Sequence, residues 1–290
     1  MLLTATCPPP LQSEILSILG IQDCHVIHAP TDRPEISYRV QLYPDLDTAK
    51  AELVQAAKRE LEENTEGTFR GLVYCRSKKN VEEIASLIGC DAFHASRPME
   101  ERKASFARWL EGRAKFIVCS SLLGCGIDVE GVTTVYHFGT PWSILDFVQE
   151  SGRAGRGGSP SVSVVFASEN EREPEVPDEE DLYGMETMRE WVLQSSVCRR
   201  IALSAFLDHR RTTCTLLRGA RLCDVCERES VQEHPARLVS FSSLTTTTDR
   251  STGRRLELPT VPPVSLEYVT SAQNLAEDLE WVNLRDSPFA

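Results

Sequence analysis

Along the first two thirds of the chain, apolar residues switch repeatedly between two spacings. From Leu46 to Asn64 they recur at helical spacing, with Ala49, Leu53, Ala56, Ala57 and Leu61 on one side. Between such stretches lie short apolar runs: Arg39–Tyr43, Gly71–Cys75, Cys90–His94, Phe116–Cys119, Thr133–Phe138 and Val162–Phe166. Runs of that length, rich in β-branched and aromatic residues, predict strands. Ser77 is placed to cap a helix over Val81–Ile88 that ends near Gly89. Glu100–Leu110 predicts another, with Phe106, Trp109 and Leu110 facing inward. Strands alternating with amphipathic helices predict an α/β fold, a parallel sheet covered by helices on both faces.

The two ends depart from this pattern. Leu2–Thr6 reads as the end of a buried strand, Leu11–Leu19 as a helix closed by Gly20, and Val26–Ile27 as a short strand. A compact domain rarely starts on a core strand, so residues 1–37 read as the tail of a larger domain. After Phe166, the stretch Glu169–Asp181 is acidic, carries Pro174 and Pro177, and predicts a solvated linker. Glu186–Leu207 predicts two helices or a helical hairpin. Beyond Val231 the chain turns to Ser, Thr and Pro, clearest at Ser242–Thr248, which predicts little packed structure. Ala272–Leu284 has the pattern of a short helix, and no internal repeat is present.

Composition adds bounds. The 290 residues are 41% hydrophobic and 26% charged, ordinary for a globular protein. No apolar run reaches the roughly 18 residues of a membrane-spanning helix. The first residues lack a basic start and long apolar stretch, so no secretory signal is read and a reducing compartment is expected. The net charge of −12 argues at first against nucleic acid, but it is uneven. Glu169–Glu190 holds ten acidic and two basic residues and contributes −8, so the rest of the surface can still carry a basic groove.

Two constellations carry chemistry. In Gln149–Arg156, Arg153 and Arg156 are separated by Ala and Gly, with Gly on each flank. On a helix start, a spacing of three places both guanidiniums on one side, where they match the oxygens of a transferring phosphoryl group. A Gly-rich surface turn with two solvated arginines has the same spacing. The second constellation is Cys198, Cys214, Cys223 and Cys226, among ten cysteines in all. Cys223-Asp-Val-Cys226 is a knuckle that turns two thiolates toward one tetrahedral metal, and two further thiolates complete a structural Cys₄ zinc site. Cys214 is the least secure ligand, because eight residues separate it from Cys223. The six scattered cysteines read as small buried hydrophobes.

The segment Gln149–Arg156 resembles motif VI of superfamily 2 helicases in the wording typical of the RecQ family. Leu3-Thr4-Ala5-Thr6 resembles motif III, Arg33-Pro34 with Tyr38-Arg39-Val40 the crossing between two RecA-like domains, and Gly71–Ser77 motif IV. Phe93-His94-Ala95 resembles the family's Tyr-His-Ala element and Cys119–Asp128 motif V. Cys198-Arg199-Arg200 and Cys223–Cys226 are similar to the RecQ zinc-binding subdomain, with a wider gap after Cys214 than is usual.

The resemblance implies a RecA-like parallel sheet sandwiched by helices, followed by a small helical zinc-binding subdomain. Its divisions would be a remnant of the first RecA-like domain at 1–37, the second at 38–168, an acidic linker at 169–185, the zinc subdomain at 186–230 and a tail at 231–290. It implies an ATP-dependent 3′-to-5′ DNA helicase of the nucleus, acting in recombination and repair. Arg156 would be the arginine finger, with Arg153 and Gln149 at phosphates or bridging the interdomain cleft. Asp128 and Gly126 would lie near the nucleotide. Ser120, Ser121, Gly124 and the turn through Cys125 would hold a single-stranded or forked DNA backbone, with Arg76, Arg97 and His94 as further contacts. For His94 a half-buried structural histidine is an equal alternative. Zn²⁺ would be structural, while ATP and Mg²⁺ would bind only with a first RecA-like domain, with its supply in trans by another chain as a further alternative. The sequence has no Gly-Lys dipeptide for a phosphate loop. Asp178–Asp181 has the letters of an acidic Mg²⁺ box but sits in the linker, and reads as a solvated charge run. A non-enzymatic DNA- or partner-binding module derived from a helicase is the alternative.

Overall fold

The computed structural model describes residues 4, 6–64, 69–120, 129–171, 181 and 183–231. A first helix, α1 (Pro9–Ile18), starts on prolines, whose fixed φ suits a first turn. Six strands follow: β1 (Ile36–Tyr43), β2 (Arg70–Cys75), β3 (Asp91–Phe93), β4 (Phe116–Cys119), β5 (Val132–Phe138) and β6 (Ser161–Ser168). The helices α2 (Leu46–Glu63), α3 (Lys78–Ile88), α4 (Met99–Leu110) and α5 (Ile144–Ser151) lie between them in the chain. All pairings are parallel, in the order β1-β6-β5-β2-β4-β3. The α/β reading of the hydrophobic pattern therefore holds.

Local chemistry sets the helix ends. The Asp45 carboxylate accepts from Thr48 N at 2.7 Å, and Ser77 Oγ accepts from Asn80 N at 3.2 Å. Gly89 closes α3 at φ +81°, a left-handed position that costs glycine little. The helical stripe of Ala49, Leu53 and Ala57 is fully buried and packs with Val81, Ile84 and Phe116 on one face of the sheet. The opposite face buries Leu72, Ile117, Val135 and Trp109 of α4. Central strands covered on both faces explain why their sequences read as unbroken apolar runs.

After the sheet come α6 (Met185–Leu193), α7 (Arg199–Asp208) and α8 (Asp224–Val231). They form a third core against β1, in which Met188, Trp191 and Cys223 pack with Ile36, Phe147 and Val165. Arg221 N donates to Pro34 O at 2.8 Å and Ser37 Oγ to Leu222 O at 2.6 Å. The module is thus stitched to the start of the edge strand.

Several expectations need correcting. The strand expected over Arg39–Tyr43 begins three residues earlier, at Ile36, where β6 already supplies a partner. Val26 and Ile27 form no strand; they are exposed within a short unit of coil, 25–30, because two apolar residues without alternation give nothing to pair or bury. Thr4 and Thr6, the described part of the expected strand at the N-terminus, belong to no strand, and Thr4 Oγ1 donates to Thr6 O at 3.0 Å. The acidic linker is docked at its described ends. Glu171 is largely buried against Arg76 and Thr140, and Asp181 accepts from Thr187 N at 3.1 Å at the start of α6. Residues 172–180, with Asp178, Glu179 and Glu180, and the tail from 232 onward, with its expected helix, lie outside the described residues.

Candidate functional site

The arginine-bearing segment follows from how α5 is built. Ser143 caps it, accepting from Asp146 N at 3.0 Å, and Ile144 and Phe147 anchor it in the core. Gln149 points outward and donates to Thr6 Oγ1 at 3.3 Å, joining two segments far apart in sequence. The helix ends at Gly152. Arg153 N and Ala154 N then fold back onto the carbonyls of Glu150 and Ser151 at 3.1 and 3.0 Å. Arg153 and Arg156 therefore stand on the turn after the C-terminus of α5, not on a helix start as the spacing suggested. Both are half-buried.

The small residues of this turn have a different use from the one expected. Ala154 is fully buried in the sheet's second core. Gly155 adopts φ +71°, and a Cβ there would stand 2.6 Å from Glu35 Cγ. Alanine and glycine let the turn tuck under the first residues of β5, where Gly155 N donates to Val132 O at 3.0 Å.

The sequence reading assigned no role to Arg33 or Arg200. The Arg33 guanidinium donates to Gly152 O at 3.0 Å and to Ala154 O at 2.8 Å, the carbonyls on either side of Arg153, and its Nε pairs with Glu35. Arg200, beside the first zinc-type cysteine, donates to Arg33 O at 3.0 Å and Ile36 O at 2.6 Å. Hydrogen bonds thus connect Arg200, in the helix that follows Cys198, through Arg33 to the arginine turn. The only sequence signal was a basic residue at each of two crossings, which does not by itself say what the guanidinium meets.

Other predicted residues are scattered. Ser120 follows β4, with its N–H directed at Phe93 O, 3.3 Å away. Ser121, Gly124, Gly126 and Asp128 lie outside the described residues. His94 is buried, with Nε2 2.7 Å from Glu82 Oε1, and Arg97 Nε donates to the same oxygen at 2.8 Å. Arg76 is held by Pro141 O at 3.0 Å and Glu171 at 3.3 Å, and its guanidinium lies over Trp142. Burial draws the Arg76 pKa below its ordinary value, the neighbouring Glu171 opposing this.

The hydrogen bonds from Arg97, and then from His94, hold Glu82 down at about 2. A carboxylate with a lowered folded-state pKa stabilises fully above its unfolded value, about 4.3, and loses that contribution as pH falls through about 2. Urea midpoints measured down this acid limb should fall less steeply in Glu82→Gln than in the parent. Identical limbs would show that the pairing contributes nothing, as many exposed ion pairs do.

Burial raises the thiols of Cys75 and Cys119 well above the ordinary range. These two are core residues, as the scattered cysteines were read to be; Cys7 and Cys90 are half-buried, Cys24 is exposed, contrary to that reading, and Cys125 lies outside the described residues.

The four clustered cysteines do converge. Their Sγ atoms all lie within 4.8 Å of one another, with Cys198 to Cys214 at 3.6 Å and Cys198 to Cys223 at 3.9 Å. Four sulfurs at about 2.3 Å from a tetrahedral zinc stand about 3.8 Å apart, whereas a disulfide needs about 2.05 Å. Backbone N–H groups of Cys214, Cys223 and Cys226 point at the sulfurs of Cys198, Cys214 and Cys223, at 3.4, 3.3 and 3.5 Å. Such donors favour thiolates, and only a cation makes four adjacent thiolates tolerable. The donor set fits a structural metal ion. Cys214 takes its place despite the wide gap, because residues 215–222 bulge outward as a turned loop with Leu216 in solvent.

Residues 51–158 match the model of the helicase conserved C-terminal domain. A putative ATP-dependent DNA helicase Q1 of Caenorhabditis elegans is 29% identical over 238 residues, covering 78% of this chain and 36% of that protein. An ATP-dependent DNA helicase RecQ of Haemophilus influenzae is 29% identical over 244 residues, again covering 78% and 36%. Among solved structures, S. cerevisiae Dbp5 bound to RNA and ADP BeF3 superposes with a TM-score of 0.52 at 14% identity, over 79% of this chain and 52% of that one. The fold is thus the RecA-like domain of a superfamily 2 helicase. Over most of its length the chain is similar to RecQ-type DNA helicases, and the part it shares with them includes the helicase C-terminal domain of the motor. It spans 36% of the length of those two relatives.

Proposed function

We propose that this chain supplies the second RecA-like domain and a zinc-holding module of an ATP-dependent 3′-to-5′ DNA helicase acting in the nucleus. In this reading Arg156 is the arginine finger for ATP and Mg²⁺ held by a first RecA-like domain. Arg153 and Gln149 bridge the cleft. Asp128 and Gly126 stand near the nucleotide, and Ser120, Ser121 and Gly124 near the DNA backbone. Zn²⁺ binds Cys198, Cys214, Cys223 and Cys226, filling every coordination position, so it serves the fold and not the reaction.

The observation that carries the reading is the clamp on the arginine turn. Two backbone carbonyls are gripped by Arg33, which is gripped in turn by Arg200. An arginine finger acts by presenting charge without reorganising at the moment of transfer, and a turn fixed at both flanks of Arg153 meets that need. Arg33 touches neither nucleotide nor DNA in this reading; it positions residues that do.

The test is ATP hydrolysis, with and without single-stranded DNA, by this chain joined in cis to the first RecA-like domain of a RecQ helicase. The joined protein should hydrolyse ATP, and Arg156→Ala should slow it by about a thousandfold or more. This chain alone should show background turnover. Turnover by the chain alone that is lost in Arg156→Ala, or equal rates for the two joined proteins, would overturn the assignment.

A further inference from the structure

The connections leaving β2 and β5 run in opposite directions across the sheet. The chain after β2 passes through α3 to β3, and the chain after β5 passes through α5 to β6, on the other side. Because β2 and β5 are neighbours, the gap beyond their carboxyl ends is the topological switch point, where open α/β sheets take ligands. A cleft opens there, lined among others by Tyr74, Arg76, His137, Trp142 and Glu150. Its inner space is about 30 Å³, room for about two waters.

The floor of this cleft is unusual for a protein interior. Tyr74 and His137 are 3% and 2% exposed, yet the Tyr74 hydroxyl and both His137 ring nitrogens make no hydrogen bond among the described residues. His137 Nε2 lies 3.1 Å from Glu150 Oε2 but is not aligned to bond it. Arg76 Nε is likewise unsatisfied. Buried polar atoms without partners are costly, and a cluster of them at a binding crevice marks groups held for a ligand or its bridging waters.

The mouth carries the other half. Trp142 is 46% exposed, while Trp109 and Trp191 are each 1% exposed. The Arg76 guanidinium lies 4.5 Å from the centre of the indole and orients it, leaving much of the ring in water. Arg76 is already paired with Glu171, and Glu150 lines the same cleft, so the site offers no surplus positive charge with which to hold a free phosphate. A flat, neutral heterocycle with both donors and acceptors on its edge suits it better.

We propose that Trp142 is the stacking platform for one base of a single-stranded nucleic acid, whose edge faces Tyr74 and His137 through bridging water. This rests on the reading of the chain as a nucleic-acid-binding motor domain. It differs from a backbone contact by Arg76, since the energy comes from the base and not from the phosphate.

The test is fluorescence anisotropy of the full chain with labelled dT and abasic oligomers of about twelve nucleotides. Trp142→Ala should weaken dT binding about tenfold, within the range for loss of one stacked base. Trp142→Phe should restore most of it. The abasic oligomer should bind parent and Trp142→Ala equally, and the salt dependence of dT binding should be unchanged, because no charge is removed. Unaltered dT affinity in Trp142→Ala would overturn the proposal while leaving nucleic-acid binding intact. Failure of the parent chain to bind any oligomer would overturn both. Displacement of the oligomer by dTMP at equal base concentration would put a free nucleotide in the cleft and overturn assignment to a strand. An unchanged melting temperature for both variants ensures that the affinities report the site.

Discussion

Chelating the metal should unfold the module built around Cys198, Cys214, Cys223 and Cys226 and lower the melting temperature of the whole chain. Structural zinc sites of this kind contribute an apparent 10–16 kcal/mol or so near neutral pH, more than the entire stability of many domains. The sulfurs sit in the third hydrophobic core, with Cys223 fully buried beside Val225, Trp191 and Ile36. Without the ion, thiols 3.6–3.9 Å apart lose the cation that holds them. Helix α7 begins at Cys198 and α8 within the Cys223–Cys226 knuckle, so their helicity should be lost with the ion. The measurements are zinc released per chain, read with a colorimetric chelator, and circular dichroism during the titration. One zinc per chain with a loss of helicity is expected. Purified, folded protein holding no metal and melting identically with and without chelator would exclude the site. Cys214→Ser tests the ligand beside the wide gap, and should weaken zinc retention as much as Cys226→Ser does.

The second large effect belongs to Arg199. Its guanidinium meets Asp224 in a two-point contact, Nε to Oδ1 and Nη2 to Oδ2, each at 2.9 Å, with Arg199 2% exposed. It also donates to Gln194 O at 2.7 Å and lies over the Trp191 ring, whose Nε1 donates back to Arg199 O at 2.8 Å. Removing one partner of a buried pair strands the other charge and costs about 3–5 kcal/mol. Arg199→Leu should therefore lower the urea midpoint by the equivalent of about that amount. Arg199→Lys should recover only part, since an ammonium cannot make the two-point contact. Arg199→Leu with Asp224→Leu should be less destabilised than Arg199→Leu alone, because no charge is left stranded. Equal stability of the parent and Arg199→Leu would mean that water or another residue replaces the pair at no cost. Arg199 and Asp224 each adjoin a zinc-type cysteine, so zinc retention should be measured in the same variants.

The two effects meet on the edge strand. Asp224 also lies 3.4 Å from Val40 N in β1, and Arg200 holds the carbonyls just before it. A module that loses its ion or its ion pair loosens the segment carrying Arg33, and with it the clamp on the arginine turn. In the proposed reading, the cysteine module would act on the motor through backbone positioning, at a distance from any phosphate.

Much of this was legible before any coordinates. The alternation of short apolar runs with helical stripes determined the parallel sheet, since strands buried on both faces must be apolar throughout. Ser77 and Gly89 determined the ends of α3 by short-range hydrogen bonding and φ preference. The cysteine spacing and the Gln149–Arg156 wording determined which residues to watch. Tertiary structure alone decided what those residues meet. No local pattern says that Arg33 grips Gly152 and Ala154 across more than a hundred residues, or that Gly155 is needed for contact with Glu35. Nor does any local pattern say that Glu171, in an acidic stretch read as solvated, is buried against Arg76. Such contacts depend on the path of the chain between elements, and a guanidinium or carboxylate has the same sequence signature in water as in a clamp. The chain's periodicity and spacing were enough for the fold and the cysteine set; the partners of its charged side chains were settled only when the sheet brought distant segments within hydrogen-bonding reach.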